Sequence, residues 1–367
     1  MIVDQFGSPA LRHDLAVFDR AFALPAPPSL RVLQPAGPVP RFNPENPAMR
    51  QAAGETALDV EWSHAIAPGA SILLAETPGT GFRQFMAAEN YVINRNLGDV
   101  ISQTFAGPEQ NFPDFPGRPA FLRLRYAYRN ARRHHVTVLA GSGDLGVTGN
   151  TPFGTYYQQR VVSWPASDPL VTGVGGTTLH LNAAGGRTVP DTAWNETRDA
   201  AVLRLMGQTP PYPFAGGGGL SAVFARPAYQ DPVRGITGNH RGVPDLSMSA
   251  SGSGSVLGFG SYTGAPAAWQ TEWGTSEAAP EFAGIIAIAD QYAHKRLGLI
   301  NPALYRLEQQ HAPGIVDITQ GSNTVSFPQN GRIFTLQGYQ AMPGYDLATG
   351  IGTINAALFV PELASAG

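Results

Sequence analysis

Apolar residues recur along this chain in two alternating rhythms. Leu11, Leu15, Phe18 and Phe22 fall at helical spacing. Ser8-Pro9 ahead of them offers an N-cap followed by Pro at the first helical position, and Pro25 stops the run. Residues 27–47 are rich in Pro and read as an irregular loop. Beyond them, 55–66 reads as a helix, 70–75 as a short apolar strand and 82–95 as a second helix. A strand over 99–104, an Arg- and Tyr-rich helix over 121–133 and a strand over 136–140 follow. Short apolar strands that alternate with helices predict an α/β fold with a mostly parallel central sheet flanked by helices on both faces. After Thr155 the rhythm loosens into turns and hairpins. The apolar run 281–288 is long enough for a buried helix, and Asn301-Pro302 opens one more. No internal repeat or composition shift marks a boundary, so residues 1–367 read as a single domain.

Composition narrows the function classes. A chain of 367 residues, 43% of them hydrophobic, can bury an ample core without disulfides or metals. It has no Cys, which excludes thiol catalysis and Cys-ligated zinc. The net charge is -3, and no basic run suggests nucleic acid or an anionic membrane as partner. Gly (43) and Pro (32) are abundant while charged residues are only 14%, as in a loop-rich globular enzyme. No apolar run reaches membrane-spanning length, and the N-terminus has no signal-peptide pattern. The opening Met1-Ile2-Val3-Asp4 reads as the tail of a strand from which something upstream has been removed.

Three places carry candidate chemistry. Ser276 stands at the mouth of the apolar run, where unpaired helix N–H groups and the positive end of the dipole suit an acyl-transfer nucleophile. By itself it reads first as an ordinary N-cap, and the rest of the chain reverses that reading. Glu55 and Asp59 stand at i and i+4, on one face of a helix whose other residues (Ala57, Leu58, Val60, Trp62, Ile66) predict burial. Two acids so placed titrate as a pair. His64 lies about 140° around that helix from Asp59, and reads as a core or partner-bound His rather than a triad member. The Gly141-Ser142-Gly143-Asp144 turn follows a strand directly, which puts Asp144 at the carboxyl edge of the sheet. An Asp there can bind a metal, cap a helix or act as a protonated donor, and the residue type leaves the three open.

Taken together these stretches resemble the sedolisins, serine-carboxyl peptidases of subtilisin-like fold, over nearly the whole length. Glu55-Thr56-Ala57-Leu58-Asp59 through Gly69-Ala70 is similar to the family's acid helix, Ser142-Gly143-Asp144 to its oxyanion motif, and Gly274-Thr275-Ser276 with Pro280 to its nucleophile motif. Asp4 to Pro9, 164–167, 174–177, 217–221 and Arg241-Gly242-Val243-Pro244-Asp245 match further stretches. A subtilase His motif is absent. The resemblance implies Ser276 as nucleophile, Glu55 as its general base, Asp59 orienting Glu55, and Asp144 as oxyanion partner beside the Ser276 N–H. It implies an endopeptidase or tripeptidyl-type exopeptidase acting in acid on a peptide or protein substrate. That peptide would lie as an added strand along 102–105. The expected protein is an extracellular monomer, here without the family's propeptide. A silent peptide-binding relative and a His-dependent serine hydrolase are the rival readings.

Segment 315–352 is similar to the family's calcium site. The resemblance implies Asp317 and Asp346 carboxylates with the carbonyls of Ile318, Met342 and Gly344, a hard oxygen cage suited to one structural Ca²⁺. As plain sequence the same residues read as two surface turns. Three departures from the family stand out: Trp273 is bulky, Glu277 adds a carboxylate next to Ser276 or else is a first-turn helix charge, and Phe105 replaces a Trp. Asp4 is an outer candidate for the acid network.

Overall fold

The structure, a computed structural model, describes residues 1–117, 119–262 and 266–366. Its centre is an eight-stranded sheet. From one edge the strands run Leu246–Ser249, Thr172–Thr178, Thr137–Gly141, Val100–Gln103, Ile2–Gln5, Ile72–Thr77 and Leu30–Leu33. All these neighbours pair in parallel, and Thr192–Ala193 adds an antiparallel flank to Thr172–Thr178. Ile72–Thr77, Val100–Gln103 and Thr137–Gly141 are buried along their whole length, polar Glu76, Thr77, Ser102, Gln103 and Thr137 included, so none shows the buried–exposed alternation of a half-covered sheet. Helices cover both faces and bury two large apolar clusters. One centres on Phe282, Ile286, Leu304 and Phe359, the other on Phe85, Phe121, Tyr128 and Trp164.

Several predicted boundaries shift, each for a local reason. The helix expected over 55–66 starts earlier, as Pro47–Ile66. Asn46 caps it by accepting from the N–H groups of Ala48 (3.0 Å) and Met49 (3.4 Å), and Pro47 takes the first helical position. The loop expected over 27–47 also contains the strand Leu30–Leu33, whose edge position leaves it mostly exposed and so without an apolar signature. Ser8 does not cap the first helix. Leu11–Phe22 has Ala10 at its N-cap and no side-chain cap. The predicted helix over 121–133 divides into a 3₁₀ turn, Ala120–Arg123, and the α-helix Tyr126–Arg133. Hairpins after residue 155 appear as expected: Gly219–Ala225 with His240–Val243, Val256–Gly260 with Ala268–Glu272, and Val325–Gln329 with Arg332–Leu336.

Two long helices position the candidate chemistry, Pro47–Ile66 (the acid helix) and Thr275–Ala293 (the nucleophile helix), packed along each other. Gly284 makes the close approach possible: a Cβ there would sit 2.8 Å from Ile66 and 3.1 Å from the Ser63 carbonyl oxygen. The Arg241–Asp245 motif proves to be a buried clasp. Arg241 Nη2 donates to Asp245 Oδ2 at 2.5 Å, while the same carboxylate accepts from Gly173 N (2.7 Å) and Tyr305 Oη (2.9 Å). It ties two adjacent strands to the helix Asn301–Gln309.

Candidate active site

The nucleophile helix begins at Thr275, with Gly274 before it at φ 100°. Only Gly fits there, since a Cβ would lie 2.8 Å from an Asp144 carboxyl oxygen and the backbone is left-handed. Ser276 therefore sits in the first turn, not at the N-cap, and its N–H has no carbonyl four residues back within the helix. Pro280, lacking an N–H, leaves the Ser276 carbonyl without its usual helical donor.

Ser276, Glu55 and Asp144 share a cleft of about 400 Å³ at the carboxyl ends of the central strands, together with Asp4, Gln5, Gln51, Thr104 and a group of Phe side chains. Glu55 lies within hydrogen-bonding reach of Ser276 and of Thr104. Burial pushes its carboxyl up, the two hydroxyls pull it back, and Asp144 nearby adds to the rise. Asp59 is fully buried behind Glu55 and accepts from Thr104 Oγ1 at 3.0 Å.

Asp4, on the first strand, faces Asp59. Burial drives Asp59 well above the carboxylate range, with Asp4 and Glu55 adding repulsion. Asp4 is pushed up to about 7, first by burial and then by Glu55. Asp4 Oδ2 and Asp59 Oδ1 have no conventional donor. A proton held between the two carboxyls would supply the donor that both lack.

Asp144 is held from the other side. Its Oδ1 accepts from the Thr275 N–H and from Thr275 Oγ1, both at 2.8 Å, and that hydroxyl oxygen accepts from Gly143 N at 3.1 Å. Burial raises the Asp144 carboxyl despite these donors. Its other oxygen faces Gly274. The four carboxyl and hydroxyl groups singled out in the sequence thus converge. Thr104 and Thr275, which hold two of them in place, were not singled out. Thr275 lies inside the Gly-Thr-Ser motif, while Thr104 carries no signal of its own.

His64 is not in the cleft. Its Nε2 lies 2.9 Å from the Pro25 carbonyl and 3.2 Å from Asp19 Oδ1, and its side chain is fully buried. Trp273 packs against the larger core cluster. Glu277 is neither a surface charge nor a cleft residue. It is fully buried, one turn from Glu281, and neither of its oxygens completes a hydrogen bond among the described residues, although Ser249 lies beside it. Burial and then Glu281 push Glu277 well up, and burial pushes Glu281 to about 8.

The Glu277–Glu281 pair therefore binds protons more tightly folded than unfolded. Stability from this source is full below pH ~4.3, the unfolded Glu value, and is lost as pH rises toward about 8. Glu281→Gln is expected to raise Tm by a few degrees at pH 8 and to change it little at pH 4, read by thermal melts at both. Equal shifts at the two pH values would contradict this.

The 317–346 region brings the second set of residues together. Asp317 Oδ2 accepts from Gly344 N at 2.9 Å, and Asp346 accepts from Met342 N (3.0 Å) and from the N–H groups of Ala348 and Thr349 (both 2.8 Å). No cluster of three or more His, Asp or Glu suited to a metal occurs among the described residues. The two carboxylates, on neighbouring turns, are hard oxygen donors of the class that Ca²⁺ takes. Asp346 also accepts from Thr349 Oγ1 at 3.1 Å, so its oxygens are already met by three N–H groups and a hydroxyl, whereas Asp317 is exposed.

No family model matches the chain. Individual relatives do. It is 32% identical to kumamolisin of Bacillus sp. (strain MN-32), over 82% of this chain and 49% of that protein. It is 26% identical to tripeptidyl-peptidase 1 of Homo sapiens, over 83% of this chain and 51% of that one. The fold superposes on Pseudomonas sedolisin (serine-carboxyl proteinase), solved with two molecules of pseudo-iodotyrostatin. That match has a TM-score of 0.81 and 26% identity, and covers 99% of this chain and 91% of the other. The chain belongs to the sedolisin family. Its mostly parallel sheet flanked by helices is the sedolisin fold expected from the sequence. The chain spans about half the length of the curated relatives it matches. Among the described residues no helix is long and apolar enough to cross a membrane.

Proposed function

We propose that this sedolisin-family chain is an acid-acting serine-carboxyl peptidase. The observation that carries the reading is the Ser276–Glu55–Asp144 cleft with Asp59 behind it. Ser276 Oγ attacks the scissile carbonyl carbon and gives its proton to Glu55, which Thr104 and Asp59 orient. The oxyanion is met by the Ser276 N–H and by a protonated Asp144. Glu55 then passes the proton to the leaving amine, and water, deprotonated by the same carboxylate, releases the acyl group. A Glu near ~4.3 when unperturbed can still accept a proton in acid, where a His is already charged. An Asp raised by burial can donate to the oxyanion at the same pH. The test is digestion of a peptide library at acid pH, together with mass spectrometry for a peptide-aldehyde adduct on Ser276. Neither cleavage nor adduct would leave the silent-relative reading standing.

The substrate backbone adds beyond the end of Val100–Gln103, along 104–106. Ser102 and Gln103 are paired on both sides by Ile2–Gln5 and Thr137–Gly141, which leaves no free edge at those two residues. A structural Ca²⁺, held by Asp317 and Asp346 with the carbonyls of Ile318, Met342 and Gly344, would pin the 317–346 turns. Chelation is expected to lower Tm by several degrees, an effect that added Ca²⁺ reverses and Asp317→Ala abolishes. Melts insensitive to both chelator and Ca²⁺ would rule the ion out.

A further inference from the structure

The buried hydroxyl of Thr275 has one hydrogen and two polar neighbours, Gly143 N at 3.1 Å and Asp144 Oδ1 at 2.8 Å. An amide N–H can only donate, so toward Gly143 the hydroxyl oxygen accepts. Its own hydrogen goes to Asp144 Oδ1, which also takes the Thr275 N–H at 2.8 Å. An oxygen that accepts two hydrogen bonds is the carbonyl oxygen of a neutral carboxyl, because a protonated one has spent a lone pair on its own hydrogen. The backbone around these groups is locked from the other side. The carbonyls of Gly143 and Asp144 accept from Gly217 N (2.7 Å) and Ala215 N (3.0 Å), and Ser142 Oγ donates to the Gly217 carbonyl at 2.7 Å. What is left to set is the turn of the Asp144 carboxyl about its last bond, which in an unrestrained Asp is broad and nearly two-fold.

We propose that Thr275 is a positioning residue: its hydroxyl holds Oδ1 of Asp144 as the carbonyl oxygen, so that the proton sits on Oδ2 and is donated to the oxyanion from there. The inference rests on the peptidase reading of this cleft. Oδ2 lies against Gly274, two residues before Ser276, and Asp144 and Ser276 line the same cleft. Without the hydroxyl, one of the two donors that tell the carboxyl oxygens apart is gone. Part of the population then carries its proton on the oxygen turned from the oxyanion, and kcat falls while ground-state binding, which does not use this hydroxyl, is kept. The same hydroxyl favours the ionised form of Asp144, since a donor to a carboxylate is stronger than one to a neutral acid. Its removal lets Asp144 keep its proton to a higher pH. Peak activity and the alkaline limit therefore move in opposite senses, the first down and the second up. Loosening of the fold alone lowers the first without raising the second.

The test is the pH dependence of kcat and KM on one peptide for wild type, Thr275→Val, Thr275→Ala and Thr275→Ser, the first two substitutions also in the Asp144→Asn background. Val keeps the shape of Thr and Ala is smaller, and neither has the hydroxyl, so a packing fault peculiar to one is exposed by the other. Both are expected to lower kcat at the acid optimum about tenfold to a hundredfold, with KM within about threefold of wild type. Both should move the alkaline limb up by about half a pH unit or more. Thr275→Ser should restore kcat and limb together. With Asn at 144 neither substitution should move the limb, because no acid is left there to titrate. Limbs of the Val and Ala variants that superimpose on wild type, a loss confined to KM, or an equal displacement in the Asn background overturns the positioning role and leaves the peptidase reading intact. Absence of cleavage by wild type overturns that reading, and this inference with it.

Discussion

Ser276→Ala is expected to lower kcat on peptides at acid pH by a factor of about 10⁶, with substrate binding little changed. Glu55→Gln is expected to cost nearly as much, because the isosteric amide keeps the shape and cannot take the Ser276 proton. The two groups act as one unit, with Glu55 in hydrogen-bonding reach of Ser276. The double variant should therefore be no worse than either single one. His64→Ala supplies the contrast. His64 is held by Asp19 and the Pro25 carbonyl, outside the cleft, so its loss should lower Tm and leave the folded enzyme active. Steady-state kinetics of the four proteins at one acid pH decide the matter. A folded His64→Ala protein without activity, or an active Ser276→Ala protein, would remove the carboxyl-based mechanism.

Asp144 governs the other large effect. Its carboxyl is raised by burial, so it stays protonated to a higher pH than an exposed Asp. Below its folded pKa the proton is present and can be donated to the oxyanion. As pH rises through that value the group becomes an anion beside a developing anion, and turnover falls. Wild-type kcat is therefore expected to decline on the alkaline side, well before the protein unfolds. Asp144→Asn cannot ionise. Its amide oxygen can still accept from the Thr275 N–H and hydroxyl, and its NH₂ can take the place of the protonated oxygen. The alkaline limb should move to higher pH. Asp144→Ala, which has no donor, should lose about 10²–10³ in kcat at the acid optimum. Superimposable alkaline limbs for wild type and the Asn variant would show that Asp144 does not set them.

How much of this was legible can be traced through single residues. The strands over 72–77, 100–103 and 137–141 were readable because burial on both faces favours a short apolar stretch without alternation, as in Ile72-Leu73-Leu74-Ala75 and Val138-Leu139-Ala140. Leu30–Leu33 was not, because an edge strand open to solvent has no such pattern. The start of the acid helix was missed, although Asn46-Pro47 is a cap signal, because the Pro-rich stretch before it reads as loop. Glu277 reads locally as a favourable first-turn charge. Only the packing of its helix against neighbouring elements shows it buried next to Glu281. Asp4 could be no more than a candidate, since pairing with a residue 55 positions away depends on the parallel register that sets the first strand beside the acid helix.

The sequence by itself determined the alternation of strand and helix and the i, i+4 placement of Glu55 and Asp59. These are local: each follows from backbone geometry within a few residues. Tertiary structure decided that Ser276 and Glu55 meet and that Thr104 and Thr275 steady the acids. Those facts depend on the approach of two helices at Gly284 and on the order of strands in the sheet, which are set by packing between segments far apart in the chain.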